Sequence, residues 1–278
     1  MSAKAVGRFL LGCLLFGAVV VAMAFLVLPV LAIFIHVPPR ELIEQLSNPV
    51  VHDALIVSLK TSVVAQALIL LFGTPTAYVL ATRRFRGRSV VITFVELPIV
   101  LPPAVAGIGL LVAFGRVGLL GDELGDFVAF TWVAVVAAIM LVSGPFYIRQ
   151  AIAAFETVDP NLVAASRTLG AGPVRTFFRV TLPLAAGGLI AGEAVAMARG
   201  LGEFGATIMF AGSLQGETQT LPLAVYQQFE ALNGFNVALA ISALLVIISL
   251  AILLSLKFSG LWARTRPVVA APAEAEAR

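Results

Sequence analysis

Six stretches of this sequence are long and apolar enough to cross a lipid bilayer, and that pattern limits the fold before any motif is read. They cover approximately 9–37, 55–82, 90–114, 127–148, 184–212 and 237–258. A spanning helix needs about 20 predominantly apolar residues. The expected class is therefore an all-α integral membrane protein with six transmembrane helices. Composition agrees: 60% of the 278 residues are hydrophobic and 12% are charged, with mean hydropathy +1.04. A soluble domain carries about 25% charged residues, and one core of this size could not hide so much apolar surface. The first stretch has Lys4 and Arg8 before it and Ala22-Met23-Ala24 within it. Its apolar run continues well past that tripeptide, longer than a signal-peptide core, so it is read as an uncleaved first span.

The basic residues give the spans a direction. Lys4 and Arg8 precede the first, Arg83, Arg84, Arg86 and Arg88 separate the second from the third, and Arg149, Arg167, Arg175 and Arg179 separate the fourth from the fifth. Lys257, Arg264, Arg266 and Arg278 close the chain, whereas the alternate loops hold only Arg40 and Arg116. Lys and Arg stay on the cytoplasmic side, which predicts cytoplasmic termini and an even number of spans. The pI of about 9.4 thus reports topology, and no nucleic-acid patch is evident. One transmembrane domain is expected over 1–266, with an Ala-, Pro- and Glu-rich tail at 267–278 that should be disordered.

Several chemistries are excluded. Cys13 is the sole cysteine, and His36 and His52 are the only histidines, so neither an internal disulfide nor a metal site of zinc-ligand spacing is expected. Of the lysines Lys4, Lys60 and Lys257, only Lys60 precedes a Ser or Thr, and Leu59 occupies the glycine position of a P-loop. Glu193 and Glu203 share one span and form no proton relay. No catalytic residue can be argued, so any ATP-driven pumping requires a partner.

Three places stand out. In the cytoplasmic stretch 149–183, Asp159-Pro160 is a helix start and Gly170 a stop for an amphipathic segment at 162–169. It either merely connects two spans or docks a soluble partner. In the third span, Pro98, Pro102 and Pro103 kink or break the helix, and the carbonyls so freed need protein or a wet cavity around them. The fifth span contains Glu193, Arg199 and Glu203 among many glycines. Arg199 and Glu203 share a helix face and can pair. The pair is either an ion pair buried between helices or part of the path of a charged solute.

The stretch 149–183 resembles the coupling loop of binding-protein-dependent ABC importer permeases. That motif is Glu-Ala-Ala, three residues, Gly, nine residues and Ile-x-Leu-Pro; here Ala164-Ala165-Ser166, Gly170 and Val180-Thr181-Leu182-Pro183 keep its spacing. Ala164 stands in place of the glutamate, Ser166 of an alanine and Val180 of the isoleucine. The run Ala198–Gly212, with Thr218–Tyr226, Leu97–Pro103 and Phe114–Gly121, is similar to molybdate permeases. Sulfate permeases share a looser form of it, and tungstate permeases a close one. The resemblance implies the type I importer fold and a homodimer in the bacterial inner membrane. Two ATPase subunits would bind ATP-Mg below, and a periplasmic oxyanion-binding protein would dock above. It implies that Pro160, Ala164, Ala165, Ser166, Arg167, Gly170, Leu182 and Pro183 contact the ATPase, and that Arg199, Gly202, Glu203, Gly205 and Thr207 belong to the translocation region. The expected function is molybdate import by alternating access, the alternatives being sulfate or tungstate import or an ATP-independent channel or carrier.

Overall fold

The computed structural model describes residues 3–45, 47–232 and 234–258; the expected tail at 267–278, the end of the expected domain, and Arg264, Arg266 and Arg278 lie outside them. All regular elements among the described residues are helical. They are α1 (Ala3–His36), α2 (Pro39–Gln45), α3 (Pro49–Thr82), α4 (Arg88–Val100), α5 (Pro103–Phe114), α6 (Gly121–Val128) and α7 (Trp132–Glu156). There follow α8 (Pro160–Thr168), α9 (Pro173–Thr176), α10 (Leu182–Leu201), α11 (Gly205–Ala211), α12 (Leu221–Glu230) and α13 (Phe235–Phe258), with a π-helical turn, Phe177–Thr181, between α9 and α10.

Among the described residues five segments are long and apolar enough to cross a membrane: Leu11–His36, Pro49–Thr82, Trp132–Glu156, Pro173–Leu201 and Phe235–Ser255. The pair α4 and α5 makes a sixth only if counted together, because its two halves are bent by 114°. Two consecutive X-Pro bonds account for the break. A residue before proline is driven out of the helical region, and both Leu101 (ψ 136°) and Pro102 (ψ 132°) are extended. Pro98, by contrast, lies inside α4.

The bounds of three expected spans move, the second beginning earlier, at Pro49. The fourth span begins at Trp132, capped by the Thr131 side chain, and continues to Glu156, because nothing in Ala151–Phe155 interrupts a helix. Arg149 is therefore a helical residue, not the start of a loop. The segment expected to span 184–212 begins earlier, at Pro173, and its helix stops at Leu201.

The packing core is α3, α7 and α10. α3 runs parallel to α7: Ile69 lies beside Gly144, Gly73 beside Tyr147, and Thr74 Oγ1 is 2.6 Å from Tyr147 OH. α10 runs antiparallel to α7. A Cβ at Gly188 would stand 2.5 Å from the Ala154 Cβ, one at Gly192 2.9 Å from the Gln150 Cβ, and one at Gly200 2.9 Å from Ile139. These glycines recur every four or eight residues, so they line one face and let the two backbones approach as small-residue interfaces in membranes do. α1 lies outside this core, exposed throughout its apolar window and packed on α13.

Candidate functional site

α10 ends at Leu201, with Gly202 as its cap residue, and a three-residue gap separates it from α11. Glu203 sits in that gap, 2% exposed. Its Oε1 accepts a hydrogen bond from the Ala206 backbone N–H at 2.7 Å, and its Oε2 is 2.9 Å from Arg199 Nη2. The pair expected from the four-residue spacing is present, and it does more than pair. One carboxylate oxygen satisfies an amide that the start of α11 leaves without a helical partner, while the other ties the carboxylate back to the last turn of α10. Thr207, one residue beyond Ala206, is fully buried, and its hydroxyl has no partner among the described residues.

The break after α10 meets the break between α4 and α5. A Cβ on Gly205 would be 2.9 Å from the Pro103 Cβ and 3.2 Å from the Ala104 backbone N. One on Gly107 would be 2.5 Å from the Ala206 carbonyl oxygen and 2.9 Å from the Met209 Cβ. The start of α5 and the start of α11 thus touch backbone to backbone. Behind them Leu110, Val135, Ile139, Ala206 and Phe210 form a buried apolar cluster. Of the prolines expected to break a helix, Pro102 makes the break and Pro103 carries the contact. The arrangement offers two interrupted helices that touch through small residues, with one ion pair spanning the break of the second, and both can bend there with few helical hydrogen bonds to break.

Two polar groups here escape the sequence analysis. Gln66 on α3 is 5% exposed, and neither atom of its amide has a partner among the described residues; its Nε2 would lie 3.2 Å from a Cβ on Gly200. Glu96 sits in the expected third span and faces Arg149 of α7 at 3.5 Å. A lone Gln or Glu within an apolar run is the signal that could have found them. Glu193, midway along α10, is half-buried, and its Oε2 has no partner among the described residues.

The second group of expected residues lies at the other end of α10, about 30 Å away for 20 helical residues. Asp159 caps α8 through a 2.8 Å bond from the Asn161 N–H to its Oδ1, Pro160 takes the first position, and Gly170 ends the segment at φ +83°. Ser166 Oγ lies 3.2 Å from Thr176 Oγ1, joining α8 to α9. No residue of α8 is buried: Ala164, Ala165 and Arg167 are exposed, and Leu169 beyond it is 88% exposed. Ser166, Leu169, Ala171, Arg175, Arg179 and Val180 line a shallow groove of about 330 Å³. Leu182 and Pro183 start α10 beside it. An unburied helix with an apolar edge over a basic groove is the form of an interaction surface.

The family described as "Binding-protein-dependent transport system inner membrane component" matches residues 69–262. The molybdenum transport system permease protein ModB of Mycobacterium tuberculosis is 41% identical over 251 residues, covering 88% of this chain and 92% of that protein. The ModB of Escherichia coli is 43% identical over 207 residues, covering 70% and 90%. Among solved structures, a bacterial alginate ABC transporter in complex with its pentasaccharide-bound periplasmic protein superposes with a TM-score of 0.67 at 18% identity, covering 95% of this chain and 99% of that one. That likeness shows the fold.

Proposed function

Because the chain belongs to the family of binding-protein-dependent transport system inner membrane components, we propose that it is the permease subunit of an ABC importer that carries molybdate into the cell. The observation that carries this reading is the 41% identity to a molybdenum permease across nearly the whole of both chains. Two copies form the path, a pair of ATPase subunits binds and hydrolyses ATP-Mg, and a periplasmic oxyanion-binding protein delivers the anion; this chain supplies no catalytic residue or cofactor. α4 and α5 count as one broken span, giving six spans in a single domain with both termini in the cytoplasm.

In this reading Pro160, Ala164, Ala165, Ser166, Arg167, Gly170, Leu182 and Pro183 form the surface that the ATPase moves. Arg199, Gly202, Glu203, Gly205 and Thr207 form the gate in the translocation path, with the neighbouring span broken at Pro102 and Pro103 beside it. The contact of two interrupted helices supports this, since alternating access needs spans that bend at defined points. The test is uptake of labelled molybdate by the assembled complex in proteoliposomes, with tungstate and sulfate as competitors. Uptake should require ATP and the binding protein, and excess sulfate should leave most of it intact. Uptake that persists without ATP, or that sulfate abolishes at concentrations where unlabelled molybdate does not, overturns the assignment.

A further inference from the structure

Three helix ends converge on one side chain at the end of the bundle that carries α8. Arg88 opens α4; its Nη2 donates to Glu156 Oε1 at 2.7 Å and its Nε to the Leu80 carbonyl oxygen at 2.6 Å. Leu80 lies in the last turn of α3, and Glu156 is the last residue of α7, three before the Asp159 that caps α8. A guanidinium can reach two acceptors at once through its planar fork, which an ammonium on a flexible stem does far less well.

A second ion pair lies further along the same seam. Glu96, eight residues after Arg88, faces Arg149, seven residues before Glu156. α4 and α7 are therefore antiparallel, and the two pairs are successive rungs about 12 Å apart. Their signs are reversed, Arg on α4 and Glu on α7 in one rung, Glu on α4 and Arg on α7 in the other. Such a ladder fixes register, since apolar contacts alone would tolerate a slide of α4 along α7. It matters here because α4 buries none of its residues fully. Beyond Val100 the chain turns through 114° into α5, whose Gly107 rests on Ala206 of α11.

We propose that Arg88 is a positioning residue that makes α4 follow the α8 end of α7, so that movement of α8 reaches the α5–α11 contact through α4 as a strut. This rests on the reading of α8 as the surface moved by the ATPase. The route is Glu156 to Arg88, along α4, across the Leu101–Pro102 break, and through Gly107 to Ala206. The Arg88–Glu156 pair is partly exposed (31% and 49%), so it adds little to folding. That separates its geometric role from a structural one.

The experiment uses the full permease with its ATPase subunits, reconstituted in proteoliposomes with the oxyanion-binding protein. It measures molybdate taken up per ATP hydrolysed, alongside complex assembly and Tm. Arg88→Gln and Glu156→Gln should each assemble with the Tm of the unaltered complex and still hydrolyse ATP, while uptake per ATP falls about fivefold or more, the size of a typical coupling between sites. The exchange Arg88→Glu with Glu156→Arg should recover only part of that ratio, since a carboxylate at 88 restores the ion pair but cannot donate to the Leu80 carbonyl. An unchanged ratio in Arg88→Gln overturns the proposal, as does a parallel loss of assembly and both activities that Arg88→Lys fails to relieve. If the unaltered complex shows no ATPase response to the binding protein, the reading of α8 fails instead, and the two failures are distinguishable.

Discussion

Glu203 is a buried acid whose two oxygens serve two different helices, so removing its partner should cost more than removing both. Arg199→Ala leaves an uncompensated charge in a site 2% exposed, a loss expected at about 3–5 kcal/mol. The neutral pair Arg199→Met with Glu203→Gln should recover most of it, measured as Tm in detergent. Gly107 gives a second, steric prediction. Gly107→Val forces side-chain atoms against the Ala206 carbonyl and should cost about 1–3 kcal/mol. Gly109→Ala, with nothing within 4 Å of the added carbon, should melt like the unaltered protein. What can be read at this level follows from distance along the chain. The Arg199–Glu203 pair is legible because both residues lie four apart, within reach of one helical turn. The bond from Ala206 to Glu203 is not, because it depends on where the helix stops. The partner of Glu96 is equally hidden, since Arg149 lies far along the chain on a helix that runs past its expected end.

For the helices, start and stop signals prove more legible than angles. Asp159, Pro160 and Gly170 delimit α8 as their chemistry requires, and the consecutive prolines after Leu101 mark the break between α4 and α5. The size of the bend, 114°, cannot be read from the prolines that cause it, nor can the meeting of α5 with α11, which depends on close contact between glycines and a carbonyl or proline from distant segments. Gly170→Pro tests the docking helix as a unit. Proline is confined to φ near about −65°, whereas Gly170 sits at +83°. The variant should reach the membrane in normal amounts and lose uptake, read by membrane fractionation and transport together; normal uptake would count against the role given to α8.

Taken whole, the molecule is legible as a helical bundle in lipid, and its sidedness can be tested directly. Cys13 is the sole cysteine, so Cys13→Ser supplies a background for single introduced thiols. With cytoplasmic termini, Glu217→Cys, exposed in the segment between α11 and α12, should react with an impermeant reagent added outside intact cells, while reporters fused to either terminus should read as cytoplasmic. The opposite pattern would invert the proposed topology and separate α8 from any cytoplasmic ATPase.

The distribution of burial across the spans also bears on how the protein is made. The windows of α1 and α13 are the most apolar and are little buried, whereas those of α7 and of the segment ending in α10 are the least apolar and pack against one another. α1 therefore needs no partner to stay in lipid. α7 and α10 carry Arg149, Glu193 and Arg199, with Glu203 just beyond, and pack against one another along a glycine-lined interface, so pairing them shields groups that lipid disfavours. Lengthening the segment between them should slow biogenesis more than the same insertion after α1.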